Sequence, residues 1–197
     1  VGQLKAAVSV FIGPPPLRDF WNYTITFMAP EGKSVKAGEM ILGFDTKELM
    51  ERLALKQSEL ETAKKELEKI RLVEQEARET LTLELAEARV QEKKVQRKNI
   101  GPEELQAAND LKKNRMDLEL AGMRVRLANS RVENQTKKMR TQLHTQVSKI
   151  KELESQVSEL QQDIEQLNIK ALKDGILAYK MDWRGRKKTV GTRCWFG

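Results

Sequence analysis

Two long heptad repeats in the middle of the chain constrain its fold more than any other feature. Apolar residues recur every seven positions from Leu53 to Val95, with Glu74 as the one interruption, and the pattern resumes from Leu111 to Leu167, with Gln146 as the one interruption. Glu, Lys, Arg and Gln fill most of the remaining positions. Heptads sustained over such a length are typical of coiled-coil helices, whose apolar seam faces another helix. We therefore assign these apolar stripes to helix packing and not to a ligand site.

A second apolar column accompanies the first in each heptad region, and it is less regular. In the first region it consists of Leu49, Ala63, Ile70 and Ala77, with Lys56, Glu84 and Gln91 as interruptions. In the second region it consists of Leu143, Ile150, Val157 and Ile164, whereas nearer the turn its positions hold Arg115, Gly122, Asn129 and Thr136. The sequence therefore predicts a seam that is tighter around Ile150 than toward the turn.

One turn separates the two heptad regions. The stretch "RKNIGPEELQAAND" contains Asn99, Gly101 and Pro102. Glycine can end a helix in a left-handed conformation, and proline is favoured at the first position of the next helix. The midpoint between Thr46 and Asn168 lies near residue 107, so we expect a broad tip at about 99–109. At 1.5 Å per residue, each arm of the resulting antiparallel hairpin would reach roughly 80 Å.

The segments on either side of the hairpin have the character of short strands. The stretch "FMAPEGKSVKAGEMILGFD", Phe27 to Asp45, places short apolar pieces around two Gly-containing turns. Earlier in the chain, Trp21, Tyr23, Ile25 and Phe27 alternate with polar residues, as a strand packed on one side would. The β unit that these strands begin is visibly incomplete.

A second β-like segment follows the hairpin. It reads "NIKALKDGILAYKMDWRGRKKTVGTRCWFG". Its residues Ala171–Gly175 echo Ala29–Gly32, and Cys194–Gly197 echoes Val35–Gly38. Because an antiparallel hairpin brings its two ends together, we expect the two segments to pair into one small β-sandwich.

Composition narrows the possible functions. With 33% charged and only 5% aromatic residues, the chain is too polar for one large globular core. The net charge of +7 arises from 36 basic and 29 acidic residues that are intermixed, which favours solvated helix faces over a nucleic-acid partner. A single cysteine, Cys194, excludes an internal disulfide. No apolar run approaches the roughly 20 residues of a membrane span, so we expect any membrane anchor to lie outside this sequence.

The two β segments resemble the halves of a biotinyl or lipoyl carrier domain. A lipoyl-like fold split by a coiled-coil hairpin is similar to the periplasmic adaptor, or membrane-fusion, proteins (HlyD-like) of bacterial tripartite efflux and secretion systems. The motifs are "APEGKSVKAGEMILGFD" at 29–45, the hairpin, and "IKALKDGIL" at 169–177. The resemblance implies an α+β fold: an N-terminal strand segment and first lipoyl half at 1–45, a coiled-coil α-hairpin at 46–168, and a second lipoyl half at 169–197.

The resemblance also implies a function without catalysis or cofactor. An adaptor of this kind lies in the periplasm, is anchored to the inner membrane, and assembles as a hexamer. It bridges an inner-membrane transporter, either ABC-type or proton-driven, and a TolC-like outer-membrane channel. The tip residues that would meet the channel are Ile100, Gly101, Pro102, Glu104 and Leu105. The Arg-Leu-Ser tip pattern of many such adaptors is absent from this hairpin.

Two alternatives remain open on the sequence alone. A biotin- or lipoate-carrying enzyme subunit would need a modified lysine, and Lys180-Met181 is the tempting pair, but the hairpin replaces the turn that should present it. A cytoplasmic coiled-coil tether or scaffold would make the flanking β segments coincidental. His144 is the sole histidine and lies within the heptads, so we interpret it as a surface helix residue and see no catalytic constellation.

Overall fold

The computed structural model describes residues 9–17, 22–98, 108–181 and 185–195. Within them, β1 covers Asn22–Met28, β2 Ser34–Val35, β3 Met40–Phe44, α1 Lys47–Lys98, α2 Ala108–Gln166, β4 Asn168–Lys170, β5 Gly175–Ile176 and β6 Arg193–Trp195. The predicted combination of a long helical hairpin and a small antiparallel sheet is confirmed. The division into 1–45, 46–168 and 169–197 stays a prediction.

The chain divides into two compact units, which are described separately. The first, here called the β unit, comprises Val1–Glu59 and Leu153–Gly197. The second, here called the helical unit, comprises Leu60–Glu152. The β unit thus contains the first turns of α1 and the last turns of α2 together with the strands.

Among the described strands of the β unit, every pairing except that of β1 with β3 joins a strand before the helices to a strand after them. The four-stranded sheet has the order β4-β3-β1-β6, and β2 pairs with β5 separately. All pairings are antiparallel, and they place Leu42 opposite Ile169, Tyr23 opposite Cys194, and Val35 opposite Gly175. The two β segments therefore form one unit. The sandwich arrangement of a lipoyl-like domain stays a prediction.

The second β segment repeats the Gly38 turn of the first, but at an earlier position than the sequence predicts. Gly38 has φ +86° and donates its amide to the carbonyl oxygen of Ala171 at 2.8 Å. Gly191 has the same φ of +86° and donates its amide to the carbonyl oxygen of Ile25 at 2.8 Å. A left-handed φ favours glycine, so among the described residues Gly191 is the counterpart of Gly38. The predicted counterpart at Cys194–Gly197 ends outside the described residues. Cys194 instead lies within β6.

The core of the β unit combines the sheet with the bases of both helices. Tyr23 and Leu167 are fully buried, and the rings of Tyr23 and Phe44 meet edge-on with centroids 5.4 Å apart. Leu49 of α1 is buried in the same cluster, and Leu160 of α2 packs against it. The sheet, the first turn of α1 and the last turns of α2 thus share one apolar cluster.

The predicted alternation along the first strand is confirmed for two of its members. Tyr23 and Ile25 are buried, whereas Phe27 is 42% exposed. A register irregularity between Ile25 and Phe27 interrupts the pairing of β1 with β3. A β-bulge moves the side chains that follow it out of the simple alternation, and this accounts for Phe27. Trp21 lies outside the described residues.

The helical unit is antiparallel, as predicted. The side-chain amide of Gln146 donates to the backbone oxygen of Ala63 at 2.8 Å, and that of Gln135 donates to a carboxylate oxygen of Glu74 at 3.2 Å. An ion pair of 3.4 Å also links the two helices. Its members are Arg131 and Glu84. As the residue number rises on α2, its partner's number falls on α1.

Ala63 and Ile150 of the predicted second column are buried, whereas toward the turn the buried residues differ from that column by one position. In α1, Leu85 is buried and Glu84 is exposed. In α2, the buried positions include Ala121 and Ala128, each one residue before a predicted seam residue. Of the predicted set, Arg115 and Thr136 are exposed, and Gly122 and Asn129 are only partly buried.

The displaced seam has a geometric cause. An α-helix has 3.6 residues per turn, so a strict seven-residue column drifts by about 20° around the helix with each heptad. After several heptads the neighbouring residue lies closer to the partner helix. In this chain the shift buries alanine where the sequence column has glycine and asparagine.

Candidate partner-binding surfaces

The predicted tip residues cannot be placed from the structure. Ile100, Gly101, Pro102, Glu104 and Leu105 all fall in 99–107, outside the described residues. Helix α1 ends at Lys98 and α2 begins at Ala108, so the connection lies within the predicted range of about 99–109. The tip as a partner-binding site stays a prediction.

The point at which the chain enters and leaves the hairpin is held by the sheet. The amide of Phe44 donates to the carbonyl oxygen of Leu167 at 3.1 Å. The amide of Asp45 donates to the carbonyl oxygen of Thr24 at 2.8 Å. The Asp45 carboxylate accepts the amide of Lys47 at 2.9 Å, which satisfies one of the free N–H groups at the start of α1. Both hairpin ends are therefore fixed to the strands.

Polar contacts also join the loops of the two β segments. The carboxylate of Glu31 accepts the Lys187 ammonium at 2.6 Å and the backbone amide of Tyr179 at 3.2 Å. The hydroxyl of Tyr179 donates to the carbonyl oxygen of Ala29. The hydrogen bond from Lys187, followed by that from Tyr179, lowers the pKa of Glu31. Burial, followed by the nearby Glu31 charge, raises the pKa of Tyr179.

A second contact of this kind organises the Gly38 turn. The Asp174 carboxylate accepts the amide of Ala37 at 2.6 Å. Glu39 accepts the Lys33 ammonium at 2.6 Å and the amide of Lys36 at 3.1 Å. The hydrogen bond from Lys33 is the main cause that lowers the pKa of Glu39. Charged side chains of the loops are thus used to hold the β unit together.

The helical unit carries an apolar stripe on α2 that the sequence analysis missed. Its members, here called the α2 stripe, are Met116, Leu120, Met123 and Leu127, which are between 47% and 61% exposed. Their spacing of four, three and four residues places them on one face of the helix. This face lies away from the seam residues Ala121 and Val125. The same spacing is visible in the sequence.

A matching stripe lies on α1. Leu83, Ala86 and Val90, here called the α1 stripe, are exposed and follow helical spacing. The stripe lies on the opposite side of α1 from the buried Leu85 and the partly buried Ala88. Beside it is a shallow depression, whose lining includes Glu87, Gln91 and Arg124.

The two stripes overlap only in part along the hairpin. Glu84 pairs with Arg131, and a Cβ built on Gly122 would lie 3.5 Å from a carboxylate oxygen of Glu92. Residues 84–92 of α1 therefore run alongside residues 122–131 of α2. Each stripe faces away from the seam, so Val90 on α1 and Met123 and Leu127 on α2 are exposed on the two outer sides at this level.

Residue types that carry catalysis are dispersed. His144 is exposed on α2, and Cys194 is a buried free thiol in β6. Within the described ranges no group of three or more His, Cys, Asp or Glu side chains is arranged to hold a metal ion. Lys180 lies on the surface, with its Nζ 5.4 Å from the centroid of the Phe11 ring. None of the described helices is long and apolar enough to cross a membrane.

Comparisons with known proteins return structural similarities only. No protein-family model and no curated protein sequence matches the chain. The periplasmic adaptor protein EmrA is similar over 89% of this chain and 68% of its own, with 14% identity and a TM-score of 0.36. MacA from Actinobacillus actinomycetemcomitans is similar over 90% of this chain, with 14% identity and a TM-score of 0.48. This chain spans 46% of the MacA structure. With TM-scores below 0.5, these similarities establish neither family nor function.

Proposed function

We propose that this chain is the hairpin-bearing part of a periplasmic adaptor. In the proposal it links an inner-membrane transporter, ABC-type or proton-driven, to a TolC-like outer-membrane channel, and the full-length protein is anchored to the inner membrane. The observation that carries the proposal is the pairing of β3 with β4 and of β1 with β6 around the helical insertion. A β unit closed across a long hairpin is the arrangement that the sequence resemblance implies.

The length of the helices suits a spacer. A helix of 52 residues, such as α1, is about 80 Å long. The hydrogen bonds from Phe44 to Leu167 and from Asp45 to Thr24 hold both ends of the hairpin at the sheet. A function of this kind depends on contacts with partners, and the proposal includes neither an enzymatic activity nor a cofactor.

Self-assembly, with six copies in the complex, is the second part of the proposal. If copies stand side by side, the α1 stripe of one copy meets the α2 stripe of the next. Burial of apolar area stabilises such a contact by about 25 cal/mol per Å². Exposed ion pairs beside the stripes contribute only about 0 to 1 kcal/mol each.

Charges beside the stripes favour the same arrangement. Glu87 on α1 lies close to the level of Arg126 on α2, and Lys93 on α1 lies close to the level of Glu119 on α2. In parallel neighbouring copies these opposite charges would face each other. Complementary charges specify the register of a contact more than its strength.

The experiment that tests the function is an export assay with the full-length protein in cells. Charge reversal at Glu104 and an acidic residue at Leu105 or Ile100 should abolish export while protein levels stay normal. Glu68→Lys, on an exposed part of α1, is the matched control and should leave export intact. Normal export with all three tip positions altered would remove the tip from the mechanism. Recovery of the full-length protein in the cytoplasm would favour a coiled-coil tether.

A further inference from the structure

The β unit contains a groove that its own packing does not fill. The groove has a cavity volume of about 890 Å³ and lies between the segment Ser9–Pro14 and the segment Ala171–Met181. Buried Ile41 and Cys194 contribute to its lining. Phe11, Leu172 and Ile176 line it as well and are each more than 70% exposed. Small-molecule sites in proteins have volumes of about 300–1,000 Å³ and mostly apolar walls.

The charged residues of the groove are mainly basic. Lys173, Lys180 and Lys188 belong to its lining. The one carboxylate among the described lining residues, Asp174, already accepts the amide of Ala37 at 2.6 Å. The Lys180 ammonium lies 5.4 Å from the Phe11 ring centroid, a distance at which a cation is attracted to the ring face. This contact places a positive charge directly beside an apolar wall.

We propose that the groove binds an amphipathic organic anion. Its apolar body would contact Phe11 and Ile176, and its anionic group would lie between Lys180 and Lys188. The apolar walls select against small hydrophilic anions, and the basic residues select against amphipathic cations. This proposal does not depend on the proposed adaptor function, because every residue of the groove belongs to this chain and no partner is needed for binding.

The test uses two fluorescent probes with the purified 197-residue chain. The anionic probe is 1-anilinonaphthalene-8-sulfonate, and the uncharged probe of similar shape is N-phenyl-1-naphthylamine. The anion should bind saturably and more tightly than the neutral probe. The double variant Lys180→Ala/Lys188→Ala should weaken anion binding about five- to tenfold, the scale of two exposed ion pairs, and leave neutral-probe binding unchanged. Phe11→Ala should weaken the binding of both probes.

Two control variants separate the groove from other surfaces. Lys170→Ala, on β4 and outside the groove lining, should bind both probes as the parent chain does. Leu120→Glu, on the α2 stripe, should also bind the anion unchanged. The inference is overturned if the anion does not bind saturably, if the double lysine variant binds it normally, or if Leu120→Glu removes the binding. Circular dichroism of each variant shows whether its fold is retained.

Discussion

The backbone amide of Phe44 donates a hydrogen bond of 3.1 Å to the carbonyl oxygen of Leu167. Phe44 is the last residue of β3, and Leu167 follows the last residue of α2. Both side chains are buried in the same apolar cluster. This single contact joins the chain where it leaves the sheet to the chain where it returns, so the hairpin insertion leaves the β unit intact.

Tyr23→Phe should destabilise the β unit and release the segment that precedes β1. The Tyr23 hydroxyl donates to the carbonyl oxygen of Pro15 at 2.6 Å and accepts the amide of Leu17 at 3.3 Å. Loss of buried hydrogen bonds costs about 1 to 3 kcal/mol. Urea unfolding measures the loss, and hydrogen exchange at Leu17 should become faster. Unchanged exchange at Leu17 would contradict the role of this hydroxyl. Thr26→Val, at an exposed position of β1, is the control.

Substitutions at neighbouring residues distinguish the observed seam from the predicted one. Leu85→Ala should cost about 2 kcal/mol or more, because it leaves a cavity between the helices. Glu84→Ala should cost no more than about 1 kcal/mol, since its ion pair is exposed. On α2, Ala128→Asp should destabilise strongly and Asn129→Asp weakly. Thermal unfolding of the four variants measures these differences. Equal effects within each pair would contradict the observed seam.

Acid should weaken the contact between the loops of the β unit. The folded-state pKa of Glu31 is lowered from its ordinary value of 4.5. The stability that it contributes is therefore present above about pH 4.5 and is lost as the pH falls through the folded-state pKa. Glu31→Gln should lower the Tm at pH 7, and the difference from the parent chain should shrink in acid. Lys187→Met should behave similarly, whereas a Tm difference that grows below pH 4.5 would contradict the assignment.

The apolar stripes should govern self-association. The chain alone should be a monomer or weak dimer in dilute solution, as sedimentation velocity can show. When the full-length protein is bound to its transporter, Leu120→Glu or Met123→Glu should reduce the crosslinking between copies. Val73→Glu, which is exposed but outside both stripes, is the control. Strong crosslinking in all variants would place the contact elsewhere.

Much of the fold was predictable because its signals are local. The heptads from Leu49 to Val95 and from Leu111 to Leu167 indicated two helices, and the Gly101-Pro102 pair indicated where the chain reverses. Since a reversal brings the hairpin ends together, the pairing of the β segments followed. The α2 stripe has an equally local signal, its spacing of four, three and four residues, but the seam heptads are the stronger pattern in the same stretch of sequence.

Other features depend on three-dimensional geometry that a linear pattern does not contain. The exposed Glu84 and the buried Leu85 are adjacent, and the drift of a 3.6-residue helix decides between them. Gly191 became recognisable as the counterpart of Gly38 only through its φ and its hydrogen bond to Ile25. The groove near Phe11 forms between segments that are distant in sequence.

Site-specific crosslinking from the hairpin tip tests the adaptor proposal most directly. A photoreactive amino acid is placed at Glu104 or Leu105 of the full-length protein in cells that perform export, with Glu68 as the control position on the arm. The proposal predicts covalent adducts between the tip positions and an outer-membrane channel, and none from Glu68. Adducts exclusively with cytoplasmic proteins, or no adduct from either tip position while export proceeds, would contradict it.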